Sequence, residues 1–210
     1  MTGTPAIRRA GPDDLPAVIA VLAAALDDTE IARWLVPDPA ARPEVYRRYF
    51  ALVTPWFFEH GTPYVTADGS AAALWVRLSG KFAPNIADYE RGLTRACGPA
   101  TPRFLRLDVA MDTAHPDWIT HDYLAFLGVH PDRQGRGIGS RLLSEHHRVS
   151  DRDRVPAYLE ATGPRNAALY ARHDYGYRTP FPVGEGPSLY PMLRDYSQAT
   201  PSPSRSRALR

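Results

Sequence analysis

Apolar positions along this chain change their spacing several times, and each change marks an element. Leu15, Val18, Ile19, Leu22 and Leu26 keep a 3.6-residue period behind Asp13 and Asp14, so a helix capped by those aspartates is predicted. Pro16 falls in its first turn, where a missing N–H is tolerated. A short strand at 6–10 precedes it, and residues 1–6 read as frayed. A second helix is predicted from Pro43, with Val45, Tyr46, Tyr49, Phe50 and Val53 on one face and Pro55 ending or kinking it. Strand-like runs at 64–67 and 71–77 then flank Asp68-Gly69, a strong hairpin signal. Residues 81–113 return to helical spacing in two pieces. Ile86, Tyr89, Leu93 and Cys97 mark one, Phe104, Leu105, Asp108 and Met111 the other, and His115–Trp118 loops into the next strand.

The stretch from 123 to 143 organises the rest. Tyr123, Ala125, Leu127 and Val129 alternate with Leu124 and Phe126, so both faces of this strand are apolar and it belongs inside a sheet. Ile138, Leu142 and Leu143 recur at helical spacing, which starts a helix within the glycines Gly135, Gly137 and Gly139. Alternating glycines let a backbone approach a ligand and present several N–H groups together. The positive end of the helix dipole and Arg133 and Arg136 add to them, a combination suited to phosphate or pyrophosphate. No lysine closes the turn as a P-loop requires, and a dinucleotide fingerprint needs a different glycine spacing near the chain start. A buried strand at 155–162, a helix at 164–173 and strands at 177–180 and 188–194 follow.

Composition narrows the classes. The 210 residues fit one domain over 1–196, with a Ser-, Pro- and Arg-rich tail over 197–210 expected to be disordered. No apolar run reaches the roughly eighteen residues a membrane span needs, and no signal peptide is evident. A lone cysteine, Cys97, excludes an internal disulfide and a cysteine-based zinc site, which favours a cytoplasmic protein. The adjacent His146 and His147 make a poor metal pair, so no metal is expected. A net charge of +2 with scattered basic residues gives nucleic-acid binding no support. Monomer and homodimer both stay open.

Gln134-Gly-Arg-Gly137-Ile-Gly139 resembles the acyl-CoA site of the GNAT family of N-acetyltransferases, whose signature reads Gln/Arg-x-x-Gly-x-Gly/Ala. Gly128, Val129 and Pro131 match the strand end that usually precedes it. The resemblance runs over about 115–195, more weakly over 6–30, and takes in Leu159–Thr162, Pro164–Asn166 and Leu169-Tyr170. With Gly186-Pro187 and Pro191–Arg194 the chain is most similar to puromycin N-acetyltransferase-like small-molecule acetyltransferases. Asp174-Tyr175 departs from the Gly-Phe that usually closes the second helix, a modest change at a left-handed position.

The resemblance implies an α/β fold. Its sheet is mixed but mostly antiparallel, twisted, of six to seven strands flanked by helices, and splayed central strands form the acyl-CoA cleft. It implies acetyl-CoA as co-substrate and a direct transfer to the amine of a small molecule, an antibiotic or natural product. A peptide N-terminus as acceptor and a non-catalytic acyl-CoA-binding module are the alternatives. Leu127, Gly128 and Val129 would then pair with the pantetheine arm, with the Val129 N–H as oxyanion donor. Arg133, Gln134, Gly135, Arg136, Gly137, Ile138, Gly139 and Ser140 would hold the pyrophosphate. Asn166 and Arg172 would add cofactor contacts; Asn166 shares a helix face with Tyr170, four residues on.

Acyl transfer itself asks for a base, an oxyanion site and an acid for the leaving thiolate, the last adding about 10² to 10⁴ in rate. Tyr170 is the candidate acid, since a phenol is protonated at neutral pH. Glu160 lies in an otherwise apolar strand and needs a partner: it relays the amine proton, binds a cationic substrate or forms a structural ion pair with an arginine. His115 and His121 flank the start of the central strand and, with Trp34, are candidate substrate contacts. Asp108, Asp112 and Asp117 suggest a negative mouth. Cys97 lies far from the glycine motif and offers no acyl-enzyme, so a ternary complex is expected.

Overall fold

The computed structural model describes residues 5–196. The predicted tail lies outside them, as do residues 1–4. Strand β1 (Ile7–Arg9) leads through a 3-10 turn, Pro12–Asp14, into helix α1 (Leu15–Leu26). Asp14 ties this corner by accepting the Gly11 N–H at 2.8 Å and the Arg8 guanidinium at 2.6 and 2.7 Å. Thr29 caps a short helix unforeseen in the sequence, α2 (Glu30–Leu35), by accepting the Ala32 N–H at 3.2 Å. Helix α3 (Arg42–His60) continues through Pro55, so the end expected there as one alternative to a kink does not occur. Pro55 and Ala51, whose carbonyl loses its partner, both face solvent, while Val53, Thr54 and Phe57 around them are buried. The freed carbonyl is open to solvent, and the packing around it holds the helix together.

The hairpin forms as predicted, β2 (Thr62–Thr66) against β3 (Ala71–Leu78). Residues 81–88 form no helix, contrary to the periodicity; Pro84 interrupts them, and the helical stretch is confined to α4 (Tyr89–Cys97) and α5 (Thr101–Ala114). Then come β4 (His121–Val129), α6 (Ile138–Asp153), β5 (Ala157–Ala161) and α7 (Pro164–Ala171). The strand expected at 177–180 is two short ones, β6 (Gly176–Tyr177) and β7 (Phe181–Pro182), both pairing with β8 (Ser188–Arg194).

The sheet has eight strands, one more than the upper expectation. Seven follow the order β1-β2-β3-β4-β5-β8-β6, and β7 joins at β8. Every pairing is antiparallel except β4 with β5. Helices α1 to α5 cover one face with an apolar cluster that includes Leu22, Phe50, Phe57 and Phe104; α6 and α7 cover the other around Trp75, Leu142 and Leu159.

Two irregularities in β4 set up the site. Its register against β3 slips between Leu74↔Phe126 and Trp75↔Leu124, so Ala125 is the extra residue of a bulge. The slip reverses the faces beyond it. Tyr123 and Phe126 pack with the α1–α5 cluster, and Leu124 packs with Leu127 and Val129 on the other side, which corrects the simple alternation read from the sequence. The second irregularity is the seam with β5. The parallel partners are only Asp122↔Ala157 and Tyr123↔Tyr158; beyond them the strands part.

Candidate active site

The glycine turn lies where β4 ends. After a 3-10 turn at Pro131–Arg133, Gly135 and Gly137 adopt left-handed φ of +74° and +73°. A Cβ built on either would meet nothing within 4 Å, so these glycines answer a backbone demand and leave open space. Gly137 is the N-cap of the sixteen-residue α6. The first N–H groups of that helix, Ile138, Gly139 and Ser140 among them, have no partner within it, and no acidic residue occupies its first turn. Arg136 donates to the Asp132 carbonyl at 3.3 Å, Arg133 to Asp68 at 3.3 Å, and Gln134 braces the turn by donating to the Val129 carbonyl at 3.1 Å. Open room, free donors and two guanidiniums fit the diphosphate of an acyl-CoA. Gly128 is constrained from another side: a Cβ there would lie 3.0 Å from Ala25 Cβ and from Leu22 Cδ2, so α1 sits against the end of β4.

Where β4 and β5 separate, a cavity of about 110 Å³ passes through the sheet. Leu124–Leu127 and Leu159-Glu160 form its two edges. Asn166 and Tyr170 of α7 close it on the glycine-turn side. Tyr170 is 8 % exposed, and burial pushes its phenol above the ordinary range, so it stays protonated at neutral pH. Asn166 donates to Thr162 Oγ1 at 2.8 Å.

Glu160 has an environment that none of its neighbours shares. Its side chain is 2 % exposed. One oxygen accepts the Tyr123 hydroxyl at 2.8 Å; the other, Oε1, has no hydrogen-bond partner among the described residues. His115 Nδ1 stands 3.6 Å from that oxygen, and His115 Nε2 lies 3.0 Å from His121 Nε2. His121 Nδ1 in turn is 3.1 Å from the Ile119 carbonyl. Burial lowers the His121 pKa, so this imidazole is neutral at physiological pH. The loop histidines of the sequence are thus buried behind Glu160, in line with it, and neither lines the cavity. No arginine pairs with Glu160 among the described residues.

Other candidates are placed elsewhere. Trp34 lies against Gly186, with the Arg103 guanidinium 5.6 Å from its ring centre, and is not part of the cavity wall. Arg172 is exposed and donates to the Ala168 carbonyl at 2.9 Å. Asp112 meets Lys81 at 3.4 Å. Asp108 accepts the Tyr89 hydroxyl at 2.9 Å, and burial pushes its carboxyl up to about 6. Burial also pushes the Cys97 thiol up to about 12, which removes it as a nucleophile.

Sequence reasoning passed over Tyr123, which orients Glu160, and the aromatic wall of Tyr46, Tyr49, Phe50 and Phe104. The stripe on α3 was visible, but a stripe at helical spacing looks the same whether it meets a core or a cavity.

Residues 104–176, which hold β4, the glycine turn, α6, β5 and α7, match the family model of an acetyltransferase (GNAT) domain. A histone acetyltransferase HPA2 and related acetyltransferase from Corynebacterium glutamicum superposes with a TM-score of 0.67 at 22% identity, covering 94% of this chain and 99% of that one. A polyamine N-acetyltransferase from Drosophila melanogaster gives 0.61 at 17%, covering 91% and 100%. The PaiA N-acetyltransferase from Thermoplasma acidophilum, solved with coenzyme A, gives 0.56 at 12%, covering 92% and 100%. At these identities the likeness is one of fold, and the chain has the GNAT fold.

Proposed function

We propose that this chain is an acetyl-CoA-dependent N-acetyltransferase acting on the amine of a small molecule, with a natural product or antibiotic of the puromycin-like group as the narrower expectation. One observation carries the reading. Glu160 and a protonated Tyr170 line the same cavity, in a gap of the sheet that begins beside the glycine turn. The domain match and the coenzyme A-bound relative support the donor; the relatives that act on small amines support the acceptor.

In this reading the turn from Arg133 to Ser140 holds the diphosphate, and Leu127 to Val129 offer backbone groups to the pantetheine arm. The amine nitrogen attacks the thioester carbonyl carbon and forms the C–N bond, leaving a tetrahedral oxyanion; its collapse restores the carbonyl and breaks the C–S bond. Glu160 accepts the proton the amine loses, with His115 and His121 behind it to pass the charge on. Tyr170 gives its proton to the departing thiolate and regains one from solvent. In the same reading the Val129 N–H stabilises the oxyanion. Transfer is direct, since Cys97 is buried and its thiol stays protonated. Residues of α1, α2, α3 and α5 roof the amine side of the cavity, which favours a small acceptor over a peptide N-terminus.

Thiol release from acetyl-CoA over a panel of amines tests this, with Tyr170→Phe and Glu160→Gln in parallel. Turnover cut at least about tenfold by each variant, with acetyl-CoA still raising Tm, is the expected result. A protein that acetyl-CoA does not stabilise would overturn the reading of the turn. One that binds it but acetylates no amine would be an acyl-CoA-binding module.

A further inference from the structure

The acceptor half of the cavity has a chemistry of its own. Its wall is built by Leu35, Tyr46, Tyr49, Phe50, Phe104 and Met111. The rings contact one another: Tyr49 and Phe104 at 4.9 Å between centroids, Tyr49 and Phe50 at 5.4 Å, Phe50 and Phe126 at 5.1 Å. Among the described residues Glu160 is the only carboxylate in the lining, and no lysine, arginine or histidine joins it. The remaining polar groups of the lining are the phenols of Tyr46, Tyr49 and Tyr170 and three side chains engaged with one another or with backbone. Thr29 accepts the Ala32 N–H and donates to the Leu26 carbonyl, and Thr162 accepts Asn166. Asp108, the nearest further acid, does not line the cavity and is held by Tyr89.

We infer that the acceptor is a monoamine on an aromatic body with no carboxylate beside the amine, such as an arylalkylamine. The inference rests on the acetyltransferase reading and names the substrate class of the same site.

Three physical points carry it. A single carboxylate in the wall of an apolar chamber receives one ammonium, which gives its proton up to Glu160 before attack. A second ammonium of a polyamine would find no second carboxylate, and the many hydroxyls of an aminoglycoside would find little beyond three phenols, so their desolvation is costly. A carboxylate next to the amine, as in a free amino acid, would meet Glu160 and find no cation. The ring faces of Tyr49, Phe50 and Phe104 instead offer edge-to-face contact to a flat substrate and attract a cation over them.

The test compares 2-phenylethylamine, hexylamine, spermidine and phenylalanine on the full-length protein in two ways. Calorimetric binding to the protein saturated with coenzyme A reads the cavity, and kcat/KM with acetyl-CoA reads the reaction. Binding and kcat/KM about tenfold or more in favour of phenylethylamine over spermidine and phenylalanine are expected, with hexylamine between. Leu107→Asp places a second carboxylate in the wall and should narrow or reverse the preference over spermidine; Met111→Glu serves if the first variant folds poorly by Tm. Turnover that favours spermidine or phenylalanine would overturn the inference and leave acetyl transfer standing. Tight, selective binding of phenylethylamine without turnover of any amine would do the reverse. No binding and no turnover of phenylethylamine would also overturn it.

Discussion

The two ends of the β4–β5 seam bury a carboxylate each and treat it in opposite ways. At the paired end, the Asp122 side chain is 2 % exposed, as is Glu160 at the open end. Asp122 accepts Arg77 at 2.8 and 3.1 Å and Ser150 at 2.7 Å, and His146 Nε2 is 3.2 Å away. Burial alone would raise its carboxyl, but the His146 imidazole, the Arg77 guanidinium and the Ser150 hydroxyl hold it well below the usual carboxylate range. Glu160 lines a cavity, accepts the Tyr123 hydroxyl through one oxygen, and has no hydrogen-bond partner for the other among the described residues. The two acids are buried to the same depth and differ in how many of their lone pairs are in use.

Asp122→Asn should break the closed end. Leaving Arg77 and His146 without their anion is expected to cost about 3 kcal/mol in urea unfolding at neutral pH, with turnover per folded molecule unchanged. The sign with pH follows from a folded pKa below the unfolded one. The stabilisation from Asp122 is complete above the ordinary carboxylate pKa of about 4 and is lost as pH falls below it. The variant should therefore show a flatter acid limb from about pH 4 downward. Equal acid limbs in the two proteins would contradict the assignment.

Tyr170→Phe probes the open end. It should lower kcat about a hundredfold, equivalent to about 2.7 kcal/mol, while stability and acetyl-CoA binding stay near wild type. A comparable loss of stability instead would make the tyrosine a core residue.

Gly128→Ala presses α1 away from the same end of β4. The added methyl would lie 3.0 Å from Ala25 Cβ and Leu22 Cδ2, and a loss of about 1 kcal/mol is expected. The smallest effect sharpens the contrast most. Glu160→Gln should leave unfolding free energy within about 0.5 kcal/mol of wild type, because a half-satisfied buried charge contributes little stability. A large destabilisation would place Glu160 with Asp122 as a structural acid.

Much of the fold was legible wherever a local signal decides it. Asp68-Gly69 made the hairpin, and the glycine spacing at 135–139 located the start of α6. Asn166 and Tyr170 fell on one face of α7, and both reach the cavity. The failures are those of residues whose fate depends on distant partners. Ala125 gives no sign of a bulge, because the slip belongs to its register with Leu74 and Trp75 on β3. Pro55 carries the mark of a break, yet the packing of Val53 and Phe57 overrides it. His115 reads as a loop residue until Glu160, forty-five positions on, is brought beside it. Periodicity says that a face is apolar; it does not say whether another element or an empty space lies opposite.

The short register of β4 with β5 has a consequence for exchange with solvent. The middle strand of a sheet normally has its amides locked from both sides and exchanges slowest of all. β4 is locked by β3 along its length, but by β5 only around Asp122 and Tyr123, where the Asp122 N–H donates to the Pro156 carbonyl at 2.8 Å. From Leu124 onward it is an edge strand enclosed within the molecule, roofed by helices and so kept from the pairing with other chains that exposed edges invite. Amides on its β5-facing side should trade hydrogen for deuterium like those of a rim strand, and slow sharply once an extended, amide-bearing ligand completes the missing rungs.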